Sequence, residues 1–176
     1  MKKKDIIKGI IVLLSVTLLS GYLLAQVYSL TKPKIEQQKK IEEERLNRDI
    51  FEEGVKFSED NLKEIPCTAV YDINGNLIGR IFTSQVRGYG GNITIKVGFD
   101  NELKIVDVKI LEHTETPGLG SKITDSNFIG QFKNKQGADL YLKTDSPTGQ
   151  VDGITGATIS SRAVTEGIRK LQEQLQ

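Results

Sequence analysis

A run of 22 residues without a charge constrains this chain more than anything else in it: from Gly9 to Leu30 it reads GIIVLLSVTLLSGYLLAQVYSL. A bilayer core about 30 Å thick is crossed by roughly 20 helical residues, so the run is long enough to span one. Its flanks agree. MKKKDIIK places four Lys before it, and Lys32 and Lys34 follow it. Residues 1–34 hold six Lys against one Asp, whereas the other 142 residues hold 18 basic and 22 acidic groups, an asymmetry that the overall charge of +1 conceals. A helix buried in a soluble core would not combine such a run with a Lys cluster. A cleaved signal peptide would have an apolar core of about 7–15 residues and a small-x-small cleavage site. Here the run is longer, Ala25-Gln26-Val27 is a poor site, and Cys67 lies too far downstream for a lipoprotein. We read an uncleaved anchor. The positive-inside rule puts residues 1–8 in the cytoplasm, residues 9–30 across the membrane and the rest on the extracytoplasmic side.

Composition removes several kinds of chemistry. Cys67 is the only cysteine and His113 the only histidine. No intramolecular disulfide can form, and Cys- or His-rich metal and haem sites are excluded. A net charge of +1 does not suit a nucleic-acid binder. A lone thiol outside the cytoplasm needs burial to stay reduced.

After the apolar run, Pro33 suits the first turn of a new helix. KIEQQKKIEEERLNRDIFEEG is charged nearly all round, with Ile35, Ile41, Leu46, Ile50 and Phe51 as sparse apolar positions. That spacing is too thin for a coiled coil and suits a stalk over residues 31–60, ending near Gly54. Residues 61–176 form the outer domain. From about Pro66 the pattern becomes that of strands. Asn74-Gly75 between two apolar runs predicts one hairpin, and Asp100-Asn101 a second, with Leu103, Ile105, Val106, Val108 and Ile110 in its returning strand. SNFIGQFK predicts a short helix with Ser126 as N-cap and Phe128, Ile129 and Phe132 facing inward. DLYLKT reads as a further strand. Val164, Ile168, Leu171 and Leu175 mark a last helix from about Ile159. The expected fold is α+β: an antiparallel sheet with flanking helices, preceded by one transmembrane helix.

The segment richest in chemistry is Val151-Asp152-Gly153-Ile154-Thr155-Gly156-Ala157-Thr158-Ile159-Ser160-Ser161. A turn of small residues runs into a helix start, where free N–H groups and the helix dipole favour an anion. Gly156 and Ala157 leave the backbone uncovered. No Arg or Lys lies within the segment, and the nearest is Arg162. The segment therefore suits either a phosphate neutralised by dipoles or covalently attached, or an ordinary Ser/Thr cap beside a tight turn.

Asp152-Gly153-Ile154-Thr155-Gly156-Ala157-Thr158 resembles the D-x-x-[ST]-G-A-[TS] signature of covalent FMN-binding domains. In that family the last hydroxyl is esterified to the FMN phosphate by a flavin transferase. Carried over, the attachment residue is Thr158, with Thr155, Gly156 and Ala157 shaping the turn. His113-Thr114-Glu115-Thr116-Pro117-Gly118-Leu119-Gly120 resembles the H-x-E-T-P-G-L-G loop of the G subunit of the Rnf complex. It is also similar to the loop of the C subunit of the sodium-pumping NADH:quinone reductase. Arg87-Gly88-Tyr89-Gly90-Gly91 matches the G-Y-x-G turn of the same proteins. The compact spacing favours the Rnf G subunit.

The resemblance implies that Glu115, Thr116, Gly118 and Leu119 lie over the flavin. Leu119 is apolar in a loop, and a flavin ring against it would explain that. By residue type alone, His113 is a hydrogen-bonded strand-end residue, and Thr116-Pro117-Gly118 is ordinary turn chemistry. There is no Rossmann G-x-G-x-x-G and no nucleophile–His–acid set, so no independent catalysis is expected. The implied role is an electron relay in a membrane complex that moves electrons between reduced ferredoxin and NAD while translocating Na⁺ or H⁺. Implied partners are the other Rnf subunits, above all the integral subunit that also carries covalent FMN. Rivals of other classes are a single-pass sensor or assembly factor whose outer domain binds a ligand without redox chemistry, and a stand-alone extracytoplasmic flavoprotein reductase outside such a complex.

Overall fold

The computed structural model describes residues 3–176; Met1 and Lys2, part of the basic flank, lie outside the described residues. One helix, α1, occupies Lys3–Ile50, and Pro33 sits inside it rather than at the start of a new helix. Proline removes one helical hydrogen bond. Strong helix formers on its C-terminal side, in KIEQQKKIEEERL, favour continuation over a break. Within α1 an 18-residue window reaches a mean hydropathy of 2.2, and among the described residues it is the one helix long and apolar enough to cross a membrane. Every side chain from Ile7 to Leu30 is exposed. The hydroxyls of Ser15, Thr17 and Ser29 donate back to the carbonyls of Ile11, Leu14 and Gln26. That is how hydroxyls are satisfied in hydrocarbon.

The chain divides into two compact units, the first ending at Glu44 and the second covering Arg45–Gln176. The second is built on a five-stranded antiparallel sheet in sequence order: β1 (Lys56–Leu62), β2 (Ile65–Tyr71), β3 (Leu77–Arg87), β4 (Asn92–Asp100) and β5 (Ile105–His113). Both expected hairpins are present. In the first, the Asp72 carboxylate accepts the N–H groups of Asn74 and Asn76 at 2.8 Å, and Gly75 takes the positive φ of 82°. In the second, the Asp100 carboxylate accepts from Glu102 and Lys104. Leu103, expected in the returning strand, lies in this turn at φ 60° instead, and β5 starts at Ile105.

β1 was not expected. It is an edge strand, and the turn into β2 uses Lys63 and Glu64 at φ 50° and 68° where Gly or Asn would announce it. DLYLKT, in contrast, is not a strand. Gly137–Asp139 forms a 3₁₀ turn, and only a single parallel bridge joins Leu142 to Val151. Leu140 and Leu142 are nevertheless buried, so their alternation reports burial and not extended pairing.

Helix α2 (Ser126–Ile129) runs into a 3₁₀ turn over Gly130–Phe132, and the two bury Phe128, Ile129 and Phe132. Asp125, not Ser126, occupies the N-cap position, and no side chain caps it. Helix α3 (Thr158–Leu175) buries Val164, Ile168, Leu171 and Leu175 as the spacing predicts. The core has two parts. The larger contains Phe82, Ile93, Ile95, Val97 and Phe99 together with residues of α2 and α3. The smaller contains Val70 and Ile81 with Ile50 and Phe51, at the end of α1. Gly98 makes room there: a Cβ on it would stand 2.4 Å from Ile50 Cγ2 and 2.7 Å from Phe51 Cε2. Gln172, on α3, is buried; its oxygen accepts from the Gly137 N–H at 2.6 Å and its amide donates to the Leu103 carbonyl at 2.5 Å. Cys67 is buried in β2.

Candidate functional site

Three segments meet at one end of the sheet. The turn joining β3 to β4 is Gly88-Tyr89-Gly90-Gly91, closed by the Gly88 N–H on the Gly91 carbonyl at 2.8 Å. The loop leaving β5 begins at His113, whose Nδ1 accepts the Glu115 N–H at 3.3 Å. The third segment is the approach to α3. Glu115 joins all three. Only 5 % of it is exposed; Oε1 accepts the Gly90 N–H at 3.1 Å, and Oε2 accepts the Ser160 hydroxyl at 2.5 Å.

The approach to α3 is fixed by its own hydroxyls. Ser161 Oγ accepts the Ile154 N–H at 2.9 Å and donates to the Ala157 carbonyl at 3.0 Å. Gly156 turns the chain at φ 80°, and a Cβ on it would stand 3.3 Å from Leu119 Cδ2. Leu119 thus lies close over the turn, and both line one cavity. The four hydroxyls of the segment are sorted by this packing. Ser160 and Ser161 are buried and hydrogen-bonded, while Thr155 and Thr158 are exposed. Ala157 holds the N-cap position with no side-chain cap, so the first N–H groups of α3 are left for another acceptor.

A cavity of ≈ 450 Å³ opens here. Of the expected residues, Glu115, Thr116, Leu119, Gly156, Ala157 and Thr158 line it. Thr155 and Gly118 are not part of its wall; the Gly118 N–H closes a turn on Ser121 Oγ at 2.9 Å. Tyr89, Gly120, Ile159 and Ser160 line it too; they lie inside the quoted motifs, but the resemblance gives none of them a cofactor role. For Tyr89 the available signal was a bulky aromatic set among three glycines. A second cavity of similar volume sets three carboxylates, Asp49, Glu52 and Glu53, against one cation, Lys133, and is less suited to an anion.

Arg162, the nearest cation along the chain, is already engaged. It grips the Asp145 carboxylate with two bonds of 2.6 and 2.7 Å. That pairing lowers the Asp145 pKa and raises that of Arg162. A phosphate at the start of α3 would therefore be met by N–H groups and the helix dipole.

Residues 88–173 match the FMN-binding domain family. The chain is 35% identical over 159 residues to the G subunit of the proton-translocating ferredoxin:NAD(+) oxidoreductase complex of Clostridium ljungdahlii, across 89% of this chain and 84% of that one. The chain belongs to the family of G subunits of ion-translocating oxidoreductase complexes. Another G subunit, from Methanosarcina acetivorans, is 34% identical over 174 residues, covering 94% of this chain and 92% of its own. The fold resembles that of Shewanella oneidensis NqrC, with a TM-score of 0.52 at 21% identity over 69% of this chain and 67% of the other. In this G-family chain the matched stretch runs from the Gly88 turn to near the end of α3, and so contains the whole wall of the cavity. The wall fits a flavin mononucleotide. It offers an uncapped helix N-terminus for a phosphate and exposed apolar surface on Tyr89, Leu119 and Ile159 for a ring system.

Proposed function

We propose that this chain is the electron-relay subunit of a membrane-bound, ion-translocating ferredoxin:NAD oxidoreductase, and that it carries FMN bonded through its phosphate to Thr158. One observation carries the reading. At an uncapped helix N-terminus, beside a cavity of ≈ 450 Å³, Thr158 presents an exposed hydroxyl while Ser160 and Ser161 are buried in other bonds. Thr155, also exposed, is not part of the cavity wall.

Bound flavin accepts and returns electrons, and the protein's part is to hold and tune it. The α3 N–H groups neutralise the phosphate, Gly156 and Ala157 let it approach, and Leu119 and Thr116 shield the ring. Residues 1–8 lie in the cytoplasm, residues 9–30 span the membrane, and the helix continues beyond the span to the FMN-carrying unit of Arg45–Gln176 on the extracytoplasmic side. Orientation follows from the Lys cluster. The anchor holds the domain at high effective concentration beside its partners. Those partners are the other members of the complex, in particular an integral subunit with its own covalent FMN, and a flavin transferase during maturation. The chain relays electrons and performs no catalysis alone.

The test is intact-mass spectrometry after co-expression with a flavin transferase. Wild type and Ser160→Ala are expected to gain one FMN, and Thr158→Ala none. An adduct that persists in Thr158→Ala would refute the assignment.

A further inference from the structure

The turn between β3 and β4 is built from glycines that the structure cannot spare. A Cβ on Gly90 would stand 2.2 Å from the Thr114 carbonyl oxygen, and one on Gly91 would stand 2.0 Å from Thr114 Oγ1. A Cβ on Gly88 would stand 2.1 Å from Glu115 Oε1. The turn is pressed flat against Thr114 and Glu115, and the buried Glu115 carboxylate pins it through the Gly90 N–H. Within Gly88–Gly91 the only side chain is the phenol of Tyr89. It is 69% exposed and stands in the wall of the cavity that holds Thr158.

Such an arrangement contributes nothing to the core. Tyr89 belongs to neither apolar cluster, and no aromatic or cationic partner meets its ring among the described residues. A rigid mount that holds one aromatic ring in water at a cavity wall suits a flat aromatic guest. Aromatic rings pair by offset stacking or edge contact.

We infer that Tyr89 is a flavin-contacting residue, its phenol ring lying against the isoalloxazine of the FMN carried at Thr158. This deepens the proposed function and rests on it. The contact has a spectroscopic consequence that a purely structural Tyr would not have. An excited isoalloxazine takes one electron from an adjacent phenol, which is transiently oxidised; the electron then returns, and the flavin reaches its ground state without emitting. Phenylalanine keeps the shape of the ring but does not give up that electron.

The experiment uses the full chain, purified in detergent after co-expression with a flavin transferase, as wild type, Tyr89→Phe and Tyr89→Ala. Intact mass gives FMN per chain, and emission is expressed per attached FMN. Wild type is expected to be strongly quenched and both variants several-fold brighter. Iodide should quench Tyr89→Ala more than Tyr89→Phe, because only the phenylalanine still covers the ring. Equal emission per FMN in all three flavinylated proteins would overturn the contact while leaving the attachment intact. A wild type without attached FMN would overturn the attachment and the contact together.

Discussion

Glu115 shows how much one side chain can organise. Its two oxygens take a backbone N–H from Gly90 and a hydroxyl from Ser160, 25 and 45 residues away along the chain. Both donors lose their acceptor if the carboxylate is removed; the exposed Gly90 N–H can turn to water, but the buried Ser160 hydroxyl cannot, and a buried donor left unpaired costs about 1–3 kcal/mol. Glu115→Ala is therefore expected to lower the unfolding free energy by about that amount. Glu115→Gln should cost less, since an amide oxygen still accepts from Gly90 and the Ser160 hydroxyl can rotate to accept in turn. Urea unfolding of the two variants beside wild type checks this; equal stability of Glu115→Ala and wild type would show that the three segments hold together without it. Sequence alone could not reveal these bonds. The T-G-A-T segment is legible because its small residues, hydroxyls and helix start are contiguous. The Glu115–Ser160 contact and the position of Tyr89 depend on how β3, β4 and β5 bring distant turns to one end of the sheet.

Among the elements, the seam between the end of α1 and the sheet depends on bare backbone. Gly98→Ala would push a methyl into Ile50 and Phe51, and overpacking of this kind typically costs about 1–3 kcal/mol. The expected sign is faster hydrogen exchange of the Phe51 amide, which donates to the Asn47 carbonyl at 3.0 Å. Gly130→Ala, whose added methyl meets nothing within 4 Å, should leave that amide unchanged. Indistinguishable exchange in Gly98→Ala would mean that the seam is not tightly packed. The elements that could be read in advance are those whose signals are local. Asn74-Gly75 and Asp100-Asn101 supply turn chemistry, and the α3 face repeats with helical period. β1 escaped because its turn places Lys63 and Glu64 at positive φ. DLYLKT misled because burial of Leu140 and Leu142 imitates the alternation of a strand.

At the scale of the whole molecule, the proposed orientation is open to a labelling test. A cysteine in place of the exposed Asn127 is expected to react with a membrane-impermeant thiol reagent on intact spheroplasts. Reaction only after lysis would reverse the topology. The background for that test is already quiet, because Cys67 is buried and its pKa is raised, first by burial and then by the nearby Asp60 charge. Thiolate is the reactive form, so both effects slow its modification. The same feature turns the unaltered chain into its own stopwatch. Cys67 is only 9% exposed, so its labelling quickens when the packing over β2 opens, and the pace of labelling reports those openings. It does so with the anchor still in a bilayer, where bulk spectroscopy of one small domain is hardest to read.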